Sequence, residues 1–406
     1  MSCSKRRFGK LLSACLAAML AVILVLNCAA AEQTQETQGA LGSAPIESKP
    51  PFDLATPSYL LMEASTGTVI FEHNADEKRP VASVTKLMAI LLVLEELDRG
   101  VVTLADKVTV SANASGMGGS QALLDANSVL PLEELLKSMI IASANDSAVA
   151  LAEYLSGSED AFVRKMNDRA SSLGMTNTHY ANVTGLPADN HYTTARDVAQ
   201  VSREVAKYPQ FFKFSTIWMY DLKHPSGRLT GLTNTNRLIR FYDGADGFKT
   251  GSTNEAKYCL SATAKRGDTR MIAVVLGTPA SQTRFDEAKK MLEYGFANYQ
   301  LNKVAKAGDL LGADVSVKFG ASGKVDAVVG SDIELLLTKG AERDLRLDAV
   351  VYDTVHAPVR KGDVLGEIKV MKGDTMIMSI PAVAGADVPY PGMIEGLLII
   401  LANWKV

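Results

Sequence analysis

Residues 80–86 read Pro-Val-Ala-Ser-Val-Thr-Lys, and an apolar run from Leu87 to Leu97 follows them. Apolar residues recur in this run at helical spacing, which predicts a helix that begins near Ser83 and buries that face. Ser83 and Lys86 would share one side of the helix, about one turn apart. Burial and the helix dipole disfavour a charged Lys86, and a neutral amine can take the proton of the Ser83 hydroxyl. The pair predicts serine–lysine catalysis, although such a tetrad taken alone is more often a simple helix N-cap.

Two further short motifs favour the catalytic interpretation. Residues 143–145 read Ser-Ala-Asn and residues 249–251 read Lys-Thr-Gly, which completes the three-part set of penicillin-recognising enzymes. Each motif has a simpler explanation when it is taken alone. Ser143 or Asn145 can cap a helix that starts there, and Lys249 can be a solvent-exposed lysine before a turn. The three motifs together, in this order, predict one catalytic site.

The third motif also indicates how a substrate is held. Lys249 on an edge strand can hold a substrate carboxylate by charge, and Gly251 lets the strand backbone approach a ligand closely. The backbone N–H of Ser252 can then pair with that of Ser83 to form an oxyanion hole. In that arrangement the strand contributes both charge and backbone hydrogen bonds to the site.

The composition is that of a globular protein and excludes several classes. The chain has 406 residues, of which 47% are hydrophobic and 21% charged, so it is long enough for two domains. The net charge of −3 falls by four, to −7, when the basic residues of the N-terminal segment are removed, and we expect no nucleic-acid partner. No residues have the spacing of a zinc site, and we expect no metal and no cofactor. Only Cys259 lies beyond residue 28 among the four cysteines, so we expect no internal disulfide in the folded part.

The N-terminal segment has the pattern of a secretory signal peptide. Residues 1–31 combine a basic start, a long apolar run and three alanines at the end, and we expect export with cleavage near the last alanine. An uncleaved membrane anchor is the alternative, because the apolar run approaches the length of a membrane span. A lipidated Cys28 is disfavoured by the bulky residue before it. Residues 32–52 are mostly polar and are predicted to be a flexible spacer.

Two folded domains and a tail are predicted after the spacer. Strand and helix patterns alternate over residues 53–301, which indicates a mixed α/β (α+β) catalytic domain. Short alternating runs separated by Lys-Gly turns over residues 302–390 indicate a small all-β domain. Residues 391–406 are strongly apolar and contain Trp404 near their end. This tail is predicted to be either an interfacial membrane-binding helix or a last buried element of the β domain.

Longer segments around the motifs make the sequence resemble a known family. From about Ala55 to Gly295 it resembles the D-alanyl-D-alanine carboxypeptidases of the low-molecular-mass penicillin-binding proteins, serine peptidase family S11. The segments that carry the resemblance are Ser83–Met88, Leu132–Leu136, Ser143–Glu153, His191–Asp197 and Asp246–Gly251. The resemblance implies a five-stranded antiparallel sheet flanked by helices, with an inserted helical part. Many members add a C-terminal β domain and a short membrane-binding helix.

The resemblance also implies a role for each site residue. Ser83 would be the acylated nucleophile and Lys86 the proton acceptor, with Ser143 and Asn145 as the second-motif pair. The residues implied in substrate binding are Lys249, Thr250, Gly251, Ser252 and Arg284, the last of them standing where the family carries an arginine that binds the terminal carboxylate.

The expected function is that of an exported carboxypeptidase of cell-wall biogenesis. It would remove the terminal D-alanine from the pentapeptide stems of peptidoglycan, and β-lactam antibiotics would inhibit it by acylation. A DD-endopeptidase is one alternative, and a penicillin-sensing or cell-wall-binding module that is acylated without turnover is another. Ser252 stands where some members carry histidine, and we expect its deacylation behaviour to differ from theirs. The Glu-x-x-Leu-Asn pattern of class A β-lactamases is absent between Asn145 and Lys249, and we expect no rapid hydrolysis of penicillin.

Overall fold

The computed structural model of the chain describes residues 45–394 and 396–397. The predicted signal peptide (1–31), most of the predicted spacer (32–52) and most of the apolar tail (391–406) lie outside the described residues. Within the described ranges, no helix is long and apolar enough to cross a membrane.

The elements of the catalytic part alternate between strands and helices, as the sequence pattern predicts. The strands are β1 (Ser58–Glu63), β2 (Val69–His73), β3 (Lys107–Thr109), β4 (Val129–Pro131), β5 (Met219–Lys223), β6 (Leu229–Thr233), β7 (Ala245–Thr253), β8 (Lys257–Arg266) and β9 (Thr269–Thr278). The α-helices are α1 (Lys86–Asp98), α2 (Ala112–Ser115), α3 (Leu132–Ile141), α4 (Asn145–Ser156), α5 (Glu159–Ser172), α6 (Ala195–Val205), α7 (Pro209–Ser215), α8 (Leu238–Phe241) and α9 (Ser281–Asn298). A 3₁₀ helix, Ala82–Thr85, directly precedes α1.

A five-stranded antiparallel sheet forms the centre of the catalytic part. Its strand order is β2-β1-β9-β8-β7, and all four pairings are antiparallel. The expected sheet is therefore confirmed. Because β7 has a neighbour on one side only, its second edge remains available for further backbone hydrogen bonds. The strand also packs against the 3₁₀ helix that contains Ser83.

Helices cover both faces of this sheet. On one face, Phe285, Met291 and Leu292 of α9 belong to the same buried cluster as Met271 and Ala273 of β9. The other face is covered by α6, which packs on β1 and β9, and α1 packs in turn on α6. This sandwich of apolar layers fixes the position of the first residues of α1, because the helix cannot slide without exposing its buried face.

The inserted helical part lies between α1 and α6 in the chain. Helix α4 is its centre, since it packs against α1, α3 and α5. Pro131 precedes the first residue of α3 with an extended backbone, as expected of a proline at a helix start. Two short hairpins, β3–β4 and β5–β6, complete this side of the domain.

The C-terminal part is a β domain, as predicted. Its strands are β10 (Tyr299–Ala305), β11 (Leu310–Lys318), β12 (Lys324–Val329), β13 (Ile333–Thr338), β14 (Leu345–Val351), β15 (Thr354–His356), β16 (Val364–Lys372) and β17 (Thr375–Ala384). Six of them form a sheet in the order β14-β16-β17-β12-β11-β15, and β10 pairs with β13. The first strand begins at Tyr299, immediately after α9, and therefore slightly before the predicted boundary at residue 302.

The structure corrects the end of the predicted spacer. The backbone N–H groups of Ile46 and Glu47 donate to carbonyl oxygens of Val69 and Ile70 in β2. The Glu47 carboxylate accepts hydrogen bonds from the hydroxyls of Tyr294 and Tyr299. These two residues therefore extend the free edge of the sheet, because an unpaired edge strand offers backbone partners to any adjacent extended segment.

Candidate active site

Residues 81–86, which we call the nucleophile turn after the role expected of Ser83, bring Ser83 and Lys86 together as their spacing predicts. Ser83 lies in the 3₁₀ helix and Lys86 is the first residue of α1. The Lys86 amine nitrogen is 2.9 Å from the Ser83 hydroxyl oxygen. The simple N-cap interpretation of Ser83 is wrong, because no side-chain cap hydrogen bond is present at the start of α1.

Lys86 is fully buried, and its surroundings favour the neutral amine. Its Nζ also donates to the backbone carbonyl of Thr184 at 2.8 Å. Burial lowers the pKa of Lys86 well below its ordinary value, the positive charge of Lys249 lowers it further, and Asp146 opposes the shift. An amine of this kind can accept a proton from an adjacent hydroxyl at neutral pH.

The second motif lies at the break between α3 and α4. Ser143 has a left-handed backbone (φ 64°), and Asn145 donates from its amide to the carbonyl of Gly118 at 2.6 Å. Both side chains are buried. Among the described residues, the Ser143 hydroxyl and the Asn145 amide oxygen have no hydrogen-bond partner. The capping alternative is therefore wrong, since Ala144 occupies the N-cap position of α4 and no side chain bonds there.

Lys249 is a buried residue of the edge strand β7. Only 1% of its surface is exposed, so the alternative of a solvent-exposed lysine before a turn is wrong. Burial, and secondarily the charge of Arg284, lower the pKa of Lys249 to about 7. The neighbouring Thr250 donates from its hydroxyl to the hydroxyl of Thr235 at 2.7 Å. The edge strand thus holds a buried amine whose charged form is disfavoured by its surroundings.

Gly251 lies in direct contact with the nucleophile turn. A Cβ added at this position would lie 2.4 Å from the carbonyl oxygen of Val81 and 3.1 Å from the backbone nitrogen of Ser83. Only glycine allows this approach of β7 to the turn. Ser252 is the next residue, is exposed and pairs with Tyr258 of β8. Its part in an oxyanion hole stays a prediction.

Arg284 supports the third motif from the side of α9. Its guanidinium is buried and donates to the carbonyl oxygens of Gly251 at 3.0 Å and Cys259 at 3.4 Å. Burial lowers the pKa of Arg284. The contact holds the strand that carries Lys249, and the expected contact of Arg284 with a substrate carboxylate stays a prediction.

Comparison with known proteins identifies the family. Residues 44–280 match a family described as "D-alanyl-D-alanine carboxypeptidase", and residues 299–390 match "Penicillin-binding protein 5, C-terminal domain". The chain belongs to the D-alanyl-D-alanine carboxypeptidase family. The resemblance inferred from the motifs is thereby confirmed, and with it the prediction of an enzyme of the hydrolase class.

Individual members of the carboxypeptidase family match most of the chain. The D-alanyl-D-alanine carboxypeptidase DacF of Bacillus subtilis is 39% identical over 348 residues, which cover 86% of this chain and 89% of the relative. DacA of Escherichia coli is 30% identical over 362 residues, which cover 86% of this chain and 88% of the relative. Among solved structures, penicillin binding protein 5 from Haemophilus influenzae superposes with a TM-score of 0.76 at 29% identity, covering 84% of this chain and all of that one.

Three contacts that support the site residues were not predicted from the sequence. The Thr184 carbonyl accepts from Lys86. The Asp146 carboxylate accepts from the backbone N–H groups of Ala122 and Leu124, which anchors the loop beside Asn145. His191 bonds to the hydroxyl of Thr85, a contact that its place in the resembling segment His191–Asp197 did not specify. The signals available in the sequence were the acid directly after Asn145 and the histidine that opens the segment His191–Asp197; the contacts of both side chains came only from the structure.

No metal site accompanies this arrangement in the described part of the chain. Within residues 45–394 and 396–397, no three histidine, cysteine or acidic side chains are grouped so that they can hold an ion.

Proposed function

We propose that this chain is an exported serine-type carboxypeptidase that releases the terminal D-alanine from peptidoglycan pentapeptides through an acyl-enzyme on Ser83. The observation that carries the proposal is the 2.9 Å approach of the Ser83 hydroxyl to a fully buried Lys86 amine. Membership in the D-alanyl-D-alanine carboxypeptidase family supports the choice of substrate.

In the first step the hydroxyl oxygen of Ser83 attacks the carbonyl carbon of the penultimate D-alanine. Lys86 takes the hydroxyl proton, and the backbone N–H groups of Ser83 and Ser252 stabilise the oxyanion that forms. The C–N bond of the terminal D-alanine then breaks, and the departing nitrogen receives a proton. The products are free D-alanine and an ester between Ser83 and the shortened peptide.

Ser143 and Asn145 act on the departing and the retained parts of the substrate. The Ser143 hydroxyl carries the proton to the leaving nitrogen, and the Asn145 amide oxygen accepts a hydrogen bond from a peptide N–H of the substrate. Both assignments are supported by a buried oxygen atom that has no partner within the described residues, because such atoms are costly unless a ligand satisfies them.

The terminal carboxylate of the substrate binds at the edge strand. Lys249 supplies the charge, Thr250 supplies a hydroxyl, and Arg284 adds a second positive charge behind the strand. Gly251 allows the substrate to lie against the strand backbone. The lowered pKa of Lys249 supports this role, since an arriving carboxylate would restore the protonated form.

Penicillin would acylate the same serine. Opening of the four-membered ring by Ser83 forms an ester whose leaving nitrogen stays attached to the adduct. Because no β-lactamase-type glutamate is present in the sequence between Asn145 and Lys249, water would remove this adduct slowly. In the peptide reaction water attacks the ester, and the shortened stem peptide is released.

The chemistry can be tested with a synthetic peptide ending in D-Ala-D-Ala and a fluorescent penicillin. Wild-type protein expressed from residue 32 should release free D-alanine, detected by mass spectrometry, and should be labelled by the penicillin. Ser83→Ala should do neither, while its thermal unfolding stays that of the wild type. Equal release of D-alanine by wild type and Ser83→Ala would exclude the proposed mechanism.

The same experiment, extended with a cross-linked stem peptide, separates the carboxypeptidase from the two alternatives. A penicillin sensor would form the label on Ser83 but release no D-alanine from any peptide. An endopeptidase would cleave cross-linked stem peptides faster than linear pentapeptides. Membership in a family of D-alanyl-D-alanine carboxypeptidases supports the first of the three.

We place the enzyme on the extracytoplasmic side of the membrane, in contact with peptidoglycan. The signal-peptide pattern of residues 1–31 supports export. The apolar tail would then bind the membrane peripherally: Met393 and Ile394 are 94% and 79% exposed at the start of it, as an interfacial segment requires. Sedimentation with lipid vesicles, with and without residues 391–406, tests the tail. A truncated protein that sediments as the full one does would exclude this attachment.

A further inference from the structure

His191 bridges two segments that meet at the nucleophile. Its Nδ1 lies 3.1 Å from the backbone nitrogen of Ala181, and its Nε2 lies 2.7 Å from the hydroxyl oxygen of Thr85. The ring is buried. Thr85 is 1% exposed and stands between Ser83 and Lys86 in the chain, so one imidazole joins the nucleophile turn to a loop about 100 residues away.

The hydrogen bonds define which ring nitrogen carries the proton. A backbone N–H can only donate, so Nδ1 of His191 accepts from Ala181. In a neutral ring the proton then lies on Nε2, which donates to Thr85. Burial, and secondarily the charge of His179, lower the pKa of His191 to about 4, and the ring therefore stays neutral at physiological pH. The other titratable ring packed against it is that of Tyr180, with centroids 6.0 Å apart.

The loop joined in this way supplies the second partner of Lys86. The amide oxygen of Asn182 accepts from the backbone nitrogens of Thr184 and Gly185, which bends the loop so that the Thr184 carbonyl meets the Lys86 amine. Gly185 lies against the nucleophile turn: a Cβ there would be 2.0 Å from the Ala82 carbonyl oxygen. The loop and the turn therefore fit together through the glycine contact, through the bond from Lys86 to the Thr184 carbonyl, and through the His191 bridge.

We propose that His191 is a positioning residue that, through Thr85, holds the nucleophile turn against the loop carrying the Thr184 carbonyl and so keeps the Lys86 amine directed at Ser83. The inference rests on the proposed role of Ser83 and Lys86. It assigns no contact between His191 and the substrate. Its consequence is kinetic: without the bridge the amine and the hydroxyl separate in part of the population, and acylation slows while the protein remains folded.

The test uses substitutions that remove one hydrogen bond at a time. Thr85→Val keeps the volume of the side chain but cannot accept from His191, whereas Thr85→Ser keeps the hydroxyl. His191→Asn keeps an acceptor for the Ala181 N–H and loses the reach to Thr85. His179→Asn serves as the matched control, because it removes an exposed imidazole from the same region.

Each protein is mixed with fluorescent penicillin, and the rate and the final extent of labelling are measured separately. Thr85→Val and His191→Asn should each slow acylation by about tenfold to a hundredfold, the scale of a displacement near 1 Å, with complete final labelling. Thr85→Ser and His179→Asn should stay near the wild-type rate. The double variant Thr85→Val/His191→Asn should be no slower than the slower single variant, since both remove one interaction.

Several results would overturn the inference. Wild-type rates in both Thr85→Val and His191→Asn would exclude a positioning role, and so would effects that multiply in the double variant. If labelling is slower only in proportion to a lower final extent of labelling, the variant has lost folded protein and the positioning role is excluded. Failure of the wild type itself to be labelled would count against the proposed Ser83 chemistry and is thus distinguishable from failure of the bridge.

Discussion

Replacing Gly251 with alanine should separate the two halves of the active site without unfolding the protein. The added Cβ would lie 2.4 Å from the carbonyl oxygen of Val81, whereas ordinary contact begins at 3.4 Å. The strand and the turn must therefore move apart by about 1.0 Å, the difference between these two distances. The atoms involved are backbone on both sides, so a side-chain rotation cannot relieve the overlap.

The expected effect follows from this displacement. A shift of about 1 Å in a positioned catalytic group can lower the rate about a hundredfold, which corresponds to about 2.7 kcal/mol in the activation free energy. The shift also moves the backbone nitrogen of Ser83, the proposed oxyanion donor, and loss of one such donor costs a similar factor. We therefore expect acylation by penicillin and release of D-alanine to fall together by about a hundredfold in Gly251→Ala.

The assay compares second-order acylation rates by stopped-flow fluorescence with melting temperatures from circular dichroism. Gly323→Ala is the matched control, since its Cβ would meet nothing within 4 Å and its position is in the β domain. The control should react as the wild type does. If Gly251→Ala acylates within about twofold of the wild type at an unchanged melting temperature, the contact between β7 and the nucleophile turn does not position the catalytic groups.

Three further predictions concern charge. The kcat/KM for a D-Ala-D-Ala peptide should fall above about pH 7 as free Lys249 loses its proton; a profile that stays flat from pH 7 to 9 would remove Lys249 from carboxylate binding. Because the pKa of Lys249 is about 7 when folded and 10.5 at its ordinary value, the unfolded state holds more protons between these pH values and stability should rise with pH up to about 10. In Lys249→Met the rise of stability with pH should be weaker, and the melting temperature at pH 7 should be higher than that of the wild type. A melting temperature that depends on pH as in the wild type would contradict the argument that burial lowers the pKa of Lys249. Asp146→Asn should lower the free energy of unfolding in urea by about 1–3 kcal/mol, because an amide cannot accept all the backbone N–H bonds of the carboxylate; an unchanged midpoint would refute this.

The sequence alone determined the parts of the molecule that depend on local spacing. Ser83 and Lys86 are three residues apart, so any helical turn brings them together, and the amphipathic run behind them requires a buried helix. Strands β1, β2, β8 and β9 likewise follow from short apolar runs bounded by turn residues, and β1, β8 and β9 are buried over most of their length. The five-stranded antiparallel sheet came from the resemblance to a family, and its strand order came only from the structure, because no periodicity encodes which strands are neighbours.

Tertiary structure alone decided the surroundings that make these groups reactive. The Thr184 carbonyl and the His191 ring reach the nucleophile turn across 98 and 106 residues of chain, from loops that have no repeating pattern. The burial of Lys249 and the attachment of Arg284 to the carbonyl of Gly251 likewise depend on how α9 packs behind the strand. A pKa is set by desolvation and by charges a few ångströms away, and those distances exist only once the chain has folded.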